Sequence, residues 1–181
     1  MSVRNILTVG TPSLRERSEE VTKSQIRSPM IRRLVRDMTD TLSEAKGIGL
    51  AAPQIGEQLR VVLFDVPEDN GYVKGGESLA RTICINPVVT VLDGETAGYW
   101  EGCLSVPGKR GYVERPQHIR LDFMDLAAKS RSMEFDGFLS TVCQHEIDHL
   151  DGVLYIDRVK EPDLLVSEAE FNEHVGESST D

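Results

Sequence analysis

With 181 residues, 39% of them hydrophobic and 28% charged, the chain is long enough to bury a core without disulfides and reads as one globular unit. A formal net charge of -10 argues against nonspecific binding to nucleic acid or anionic lipid. No apolar run approaches the roughly 20 residues of a membrane helix, the N-terminal apolar stretch is too short for a signal peptide, and three cysteines point to a reducing, cytoplasmic setting rather than a disulfide framework.

Residues 1–27 are mixed, with a turn expected at Gly10-Thr11-Pro12. The spacing then predicts a long helix in SPMIRRLVRDMTDTLSEAKG, with Ser28 as N-cap, Pro29 in the first turn and Ile31, Leu34, Val35, Met38 and Leu42 on one face. Gly47 suits the stop. GIGLAAPQIG follows as a Gly/Ala loop with residues too small for either element. From Leu59 the texture changes to short β-like runs: LRVVLFDV, RTICINPVVTVL, GYVERP, HIRLDFMDL and SRSMEFD, separated by Gly, Pro and Asn. Residues 68–78, EDNGYVKGGES, read as a polar surface loop. Asp136 is placed to cap a second helix, GFLSTVCQHEIDHLDG, stopping near Gly152; LYIDRV reads as extended, and Pro162 opens a final helix to about His174. This order predicts an α+β fold, antiparallel sheet packed around a central helix. The expected division is a catalytic part, residues 1–160, and an acidic C-terminal helix and tail of the same domain, 161–181.

His145-Glu146-Ile147-Asp148-His149 carries the chemistry. Positions i and i+4 share a helix face, so both imidazoles can aim at one metal ion, with Glu146 beside them to act on water rather than as a ligand. A third ligand is needed. A metzincin would place a His at 155, where this chain has Tyr155 behind Gly152. A thermolysin-like site would use Glu168 or Glu170, but these lie in a segment where acid is simply frequent, and a solvated acidic face is the plainer reading. Cys143 is about 200° round the helix from the motif face and, like Cys84, reads as a small buried apolar side chain. Cys103, between Gly102 and an expected Pro107-Gly108 turn, could complete a Cys-His-His set with the fourth position open.

Three stretches, GIGLAAPQ (47–54), EGCLS (101–105) and QHEIDH (144–149), occur in this order and resemble the signature motifs of peptide deformylase. The resemblance spans the first long helix to about residue 158. It implies a peptide-deformylase-like fold in which Cys103, His145 and His149 bind one divalent metal, Fe2+ foremost, with Zn2+, Ni2+ or Co2+ also suited to thiolate and imidazole. It implies removal of the formyl group from N-formylmethionyl nascent polypeptides, bound water attacking the formyl carbonyl with Glu146 as general base and acid. It also implies Gln54 and the Leu104 N–H as donors to the developing oxyanion. Gly49 and Gly102 would face the peptide, which adds alongside strand segments near EGCLS. Ile48, Leu104, Phe138 and Val142 would form the methionine pocket, with Arg110 at its rim. Ser105 reads as a structural hydrogen-bonding residue, and His118 and His174 as surface.

In the well-known bacterial form of the family this chain resembles, a basic C-terminal helix docks on the ribosome. Here residues 161–181 contain seven Asp or Glu and no Lys or Arg, so any transient ribosome contact is expected on another surface. Two alternatives remain: an HExxH zinc endopeptidase using Glu168 or Glu170, and a family member that holds metal or peptide without turnover. Intact Glu146 and Gln54 argue against the last.

Overall fold

The structure, a computed structural model, describes residues 2–68 and 77–176. Most of the expected 68–78 loop, the side chain of His174 and the tail beyond 176 lie outside the described residues. The early segment carries a short helix, α1 (Lys23–Ile26), closed by a Thr22/Gln25 capping box. The first long helix, α2 (Pro29–Ala45), starts where Ser28 Oγ accepts the Ile31 N–H. Its Ile31, Leu34, Met38 and Leu42 are buried and Val35 partly so, which is the expected apolar stripe. Lys46, in the left-handed region at φ 53, ends it one residue before Gly47.

The Gly/Ala stretch is not a loop. Gly49–Ala51 forms β1, and Ala52–Ile55 a turn of 3-10 helix. β1 is the edge of a five-stranded antiparallel sheet ordered β1-β2-β3-β6-β7, with β2 Val61–Val66, β3 Leu79–Val91, β6 His118–Met124 and β7 Ser130–Asp136. β2 is apolar at nearly every position because both its faces are covered. Val62, Phe64 and Val66 pack with Phe138, Val142, Cys143 and Ile147 of α3 (Gly137–Leu150). Val61 and Leu63 point the other way, to Ile31, Leu34 and Met38 of α2.

The second sheet has order β4-β5-β8: Thr96–Cys103, Val106–Pro116 and Leu165–Ser167. Three expectations fail here. Pro107 and Gly108 lie within β5, and Leu104-Ser105 make the turn. LYIDRV contains a 3-10 turn, Tyr155–Asp157, fixed by the Leu154 N–H donating to Asp157. The final helix, α4, spans only Glu168–Gly176, because Lys109, Arg110 and Gly111 of β5 recruit Leu165–Ser167 as a strand. A three-residue strand is too short to show its period of two in sequence.

The two sheets meet across α3, which touches strands of both. Asp136 occupies the N-cap position without a side-chain bond; Glu77 accepts the Leu139 N–H at 3.0 Å instead. Beyond the C-terminus, Gly152 has φ +72, and a Cβ there would lie 2.5 Å from the Arg15 carbonyl oxygen. Gly152→Ala is expected to destabilise by more than the roughly 1–2 kcal/mol of a left-handed residue, because Arg15 must also move. The shift of the urea midpoint measures it.

Candidate metal centre

α3 presents His145 and His149 one turn apart, their rings edge to face with centroids 5.2 Å apart. Cys103, the last residue of β4, reaches the same point from the other sheet. Its Sγ lies 3.3 Å from His149 Nε2. The ligand atoms of Cys103, His145 and His149 all lie within 4.8 Å of one another. Neither Glu168 nor Glu170 joins them. Glu168 pairs with Arg110 at 2.9 Å, and Glu170 caps α4 through Ser167. Both are exposed, in keeping with a solvated acidic face. Tyr155, where a metzincin would have its third histidine, stacks on His145 at 5.9 Å and donates its hydroxyl to the Lys109 carbonyl.

A buried charge network holds the histidine in place. Glu101, two residues before the cysteine, accepts from His145 Nδ1 at 2.7 Å. That bond fixes the tautomer and leaves Nε2 for the triangle. Arg115 grips both Glu101 oxygens at 2.6 and 3.0 Å and reaches Asp148 at 2.8 Å. Arg158 holds Asp148 from outside. Burial opposes charge on Glu101, but hydrogen bonds from His145 and Arg115 pull it down to about 2. Burial likewise opposes a charged His145, yet the Cys103 sulfur and Glu101 raise it well above the usual histidine value. Burial and the His145 charge push His149 well below it. The sulfur and two imidazole nitrogens, with Glu101 behind His145, form a donor set that suits a cation.

Glu146 lies behind this triangle and is treated differently from Glu101. Its Oε2 is buried with no hydrogen-bond partner among the described residues, and burial raises it to about 7. Gly49 makes room for it: a Cβ there would stand 2.4 Å from Glu146 Oε1 and 2.7 Å from Cδ. Gly49→Ala is expected to push the carboxylate aside and cost about 10²-fold in turnover, with metal content unchanged; steady-state kinetics beside elemental analysis tests it. Gln54 is buried and fixed end to end. Its Oε1 accepts the Ala51 N–H at 2.8 Å, and its Nε2 faces Ser105 Oγ at 3.1 Å and Cys103 Sγ at 3.6 Å. Ser105 thus serves as an acceptor for the amide.

A cavity of about 390 Å³ opens in front of these groups. Gln54, Cys103, His145 and Glu146 line its floor, and Ile48, Leu104, Phe138 and Val142 its apolar part; Gly49, Gly102 and Arg110 also border it. The expected site residues therefore gather in one place.

Comparison with known proteins agrees. The family model described as Polypeptide deformylase matches residues 3–164. A peptide deformylase of Leptospira biflexa is 45% identical over 165 residues, covering 91% of this chain and 92% of its own. One from Thermomicrobium roseum is 37% identical over 99% of both. The chain belongs to the polypeptide deformylase family. Among solved deformylases, the Ehrlichia chaffeensis structure has TM-score 0.78 and 34% identity over 99% of each chain. The Met-Ala-Ser-bound class I type b enzyme of Acinetobacter baumannii has TM-score 0.83 and 30% identity, covering 88% of this chain and all of that one. Membership implies a single divalent metal, and the sulfur–imidazole triangle is where the described residues can hold it.

Sequence reasoning quoted Glu101 inside EGCLS without giving it a task, and passed over Arg115 and Asp148. A charged residue in an alternating strand looks like a solvated face; only the fold buries this one beside a histidine. The surface reading of His118 fits: it pairs with Asp93 at 3.0 Å, partly exposed. Cys84 and Cys143 are fully buried and apart from the triangle, and among the described residues no helix is long and apolar enough to cross a membrane.

Proposed function

We propose that this chain hydrolyses the formamide of N-formylmethionyl peptides, the activity named in its relatives, using the residues gathered around the cavity. The observation that carries the reading is the convergence of Cys103, His145 and His149 on the space faced by the unpartnered Glu146 oxygen. Cys103, His145 and His149 would hold a divalent ion, which when bound would supply the positive charge that acidifies water and polarises a carbonyl. One thiolate and two imidazoles suit Fe2+, Zn2+, Ni2+ or Co2+; the family resemblance, not the donor set, puts Fe2+ foremost.

Glu146 takes the proton from the attacking water and returns it to the departing amine. Its burial and missing partner suit that task, since a carboxylate locked in an ion pair is a poor base. Gln54, with its orientation dictated by Ala51, and the Leu104 N–H donate to the oxygen on which charge develops. Glu101 keeps His145 in the ligand tautomer. Ile48, Leu104, Phe138 and Val142 receive the methionine side chain. β1 and β4 are sheet edges bordering the cleft, so an extended peptide can add beside Gly49 and near Gly102. The pairing of β8 with β5 supports reading residues 161–181 as part of the catalytic unit rather than a separate one. The cytoplasm, where nascent chains emerge, is the fitting compartment. Any ribosome contact would use a surface other than the acidic C-terminus.

Formate release from formyl-Met-Ala-Ser, assayed anaerobically with metal content measured on the same sample, tests the proposal. Expected are turnover of the formylated peptide, little of its acetylated analogue and no cleavage of internal bonds. Fully metallated protein that releases no formate overturns it.

A further inference from the structure

The C-terminal segment does more than close the small sheet. β8 places Val166 opposite Arg110, and α4 begins at once with Glu168, whose carboxylate meets Arg110 Nη2 at 2.9 Å. The guanidinium lies 5.6 Å from the Phe171 ring centroid, and Phe171 packs on Trp100 with centroids also 5.6 Å apart. Beneath it, Gly102 leaves the room: a Cβ there would stand 2.4 Å from Arg110 Nη1. Arg110 is thus set in one pose, and both it and Glu168 line the cavity. Lys46 and Lys109 line it as well. Of the three carboxylates that also line it, Glu101 and Glu146 are buried, which leaves Glu168 as the exposed one beside these cations.

We infer that Glu168 is a specificity-determining residue: by holding Arg110 it limits how strongly the cleft favours peptides that carry a carboxylate downstream of the formylated methionine. The inference rests on the deformylase reading for its substrate and on this chain's own C-terminal segment for the selectivity. The apolar pocket takes the methionine, so the following residues leave across the charged rim. A downstream acid competes with Glu168 for the Arg110 guanidinium, and a downstream base meets the three cations. Removing the Glu168 charge while keeping its shape takes that carboxylate out of the competition for Arg110.

The test compares formyl-Met-Ala-Asp, formyl-Met-Ala-Ser and formyl-Met-Ala-Lys on the metallated wild type, Glu168→Gln, Arg110→Met and the double variant. Glu168→Gln is expected to improve the acidic peptide over the lysine peptide by about two- to fivefold, the range of a partly exposed ion pair. The gain should sit in KM, shrink in about 1 M salt, and vanish in the double variant. Equal changes for all three peptides, or a gain that survives loss of Arg110, overturn the inference. Trp100, the single tryptophan, reports by its emission whether α4 stays seated. If that emission moves in Glu168→Gln, Arg110→Met is compared with wild type directly, and a discrimination blind to charge overturns the inference equally. Calorimetric binding of unformylated Met-Ala-Asp and Met-Ala-Lys reads the same preference without turnover. A wild type that binds but releases no formate thus fails the deformylase reading alone.

Discussion

Glu146→Gln is expected to keep its metal and lose about 10²–10⁴-fold in kcat, the range for removing a positioned general base. The glutamine has nearly the same shape and no basic oxygen. The three ligand atoms come from Cys103, His145 and His149, so elemental analysis of the variant should match wild type. Among the described residues the carboxylate has no hydrogen bond to give up at Oε2, so the folded state should be little disturbed. Removal of a base that acts mainly in the transition state lowers kcat and leaves KM close to its starting value. Loss of metal from Glu146→Gln would make the residue a ligand and sink its assignment as base.

Arg115→Met is expected to destabilise the fold by about 3–5 kcal/mol, the cost of stripping one partner from a buried charge group. Arg115 is 2% exposed and is gripped by Glu101 on one side and Asp148 on the other. Among the described residues, Glu101 would then retain its bond from His145 and Asp148 its pair with Arg158. Urea unfolding monitored by circular dichroism measures the loss. Its pH dependence supplies a second signature. Glu101 sits at about 2 in the folded protein against an ordinary 4.5. A depressed carboxylate contributes stability that is complete above its unfolded value and is lost as pH falls through the folded one. The wild type should therefore surrender this contribution between about 4.5 and 2. In Arg115→Met, burial is opposed by His145 alone, the folded value rises, and acid unfolding begins at higher pH. An unchanged acid midpoint would remove Arg115 from this role.

Much of the fold and of the site is legible in the sequence. The stripe on α2, the apolar runs of β2, β3 and β6, and the i, i+4 histidines are local patterns whose periods are set by helix and strand geometry. Failures fell where neighbours override propensity. GIGLAAPQIG lacks the bulky residues that mark strands, yet Gly49–Ala51 pairs with β2 because its small residues let the backbone pass over Glu146. Leu165–Ser167 is drawn into a strand by an edge of β5 far away in sequence. Cys103 is 46 positions from the histidine it touches, and nothing in its own strand says so.

The sequence by itself determined the kinds of atom available for chemistry and the helix that aligns two of them. Tertiary structure decided what each carboxylate does. Glu101 and Glu146 are the same residue type, both buried, both within reach of the metal-binding histidines. One is surrounded by Arg115 and His145 and held down to about 2; the other is buried with no hydrogen-bond partner at Oε2 among the described residues, and burial raises it to about 7. Protonation depends on solvation and on charges brought near by folding, and these follow from where the chain returns in space rather than from the spacing of residues along it. The N-terminal segment makes the same point. Leu7, Val9 and Ser18 donate backbone N–H groups to the carbonyls of Gln54, Ser105 and Leu150, tying together the three stretches that carry the site.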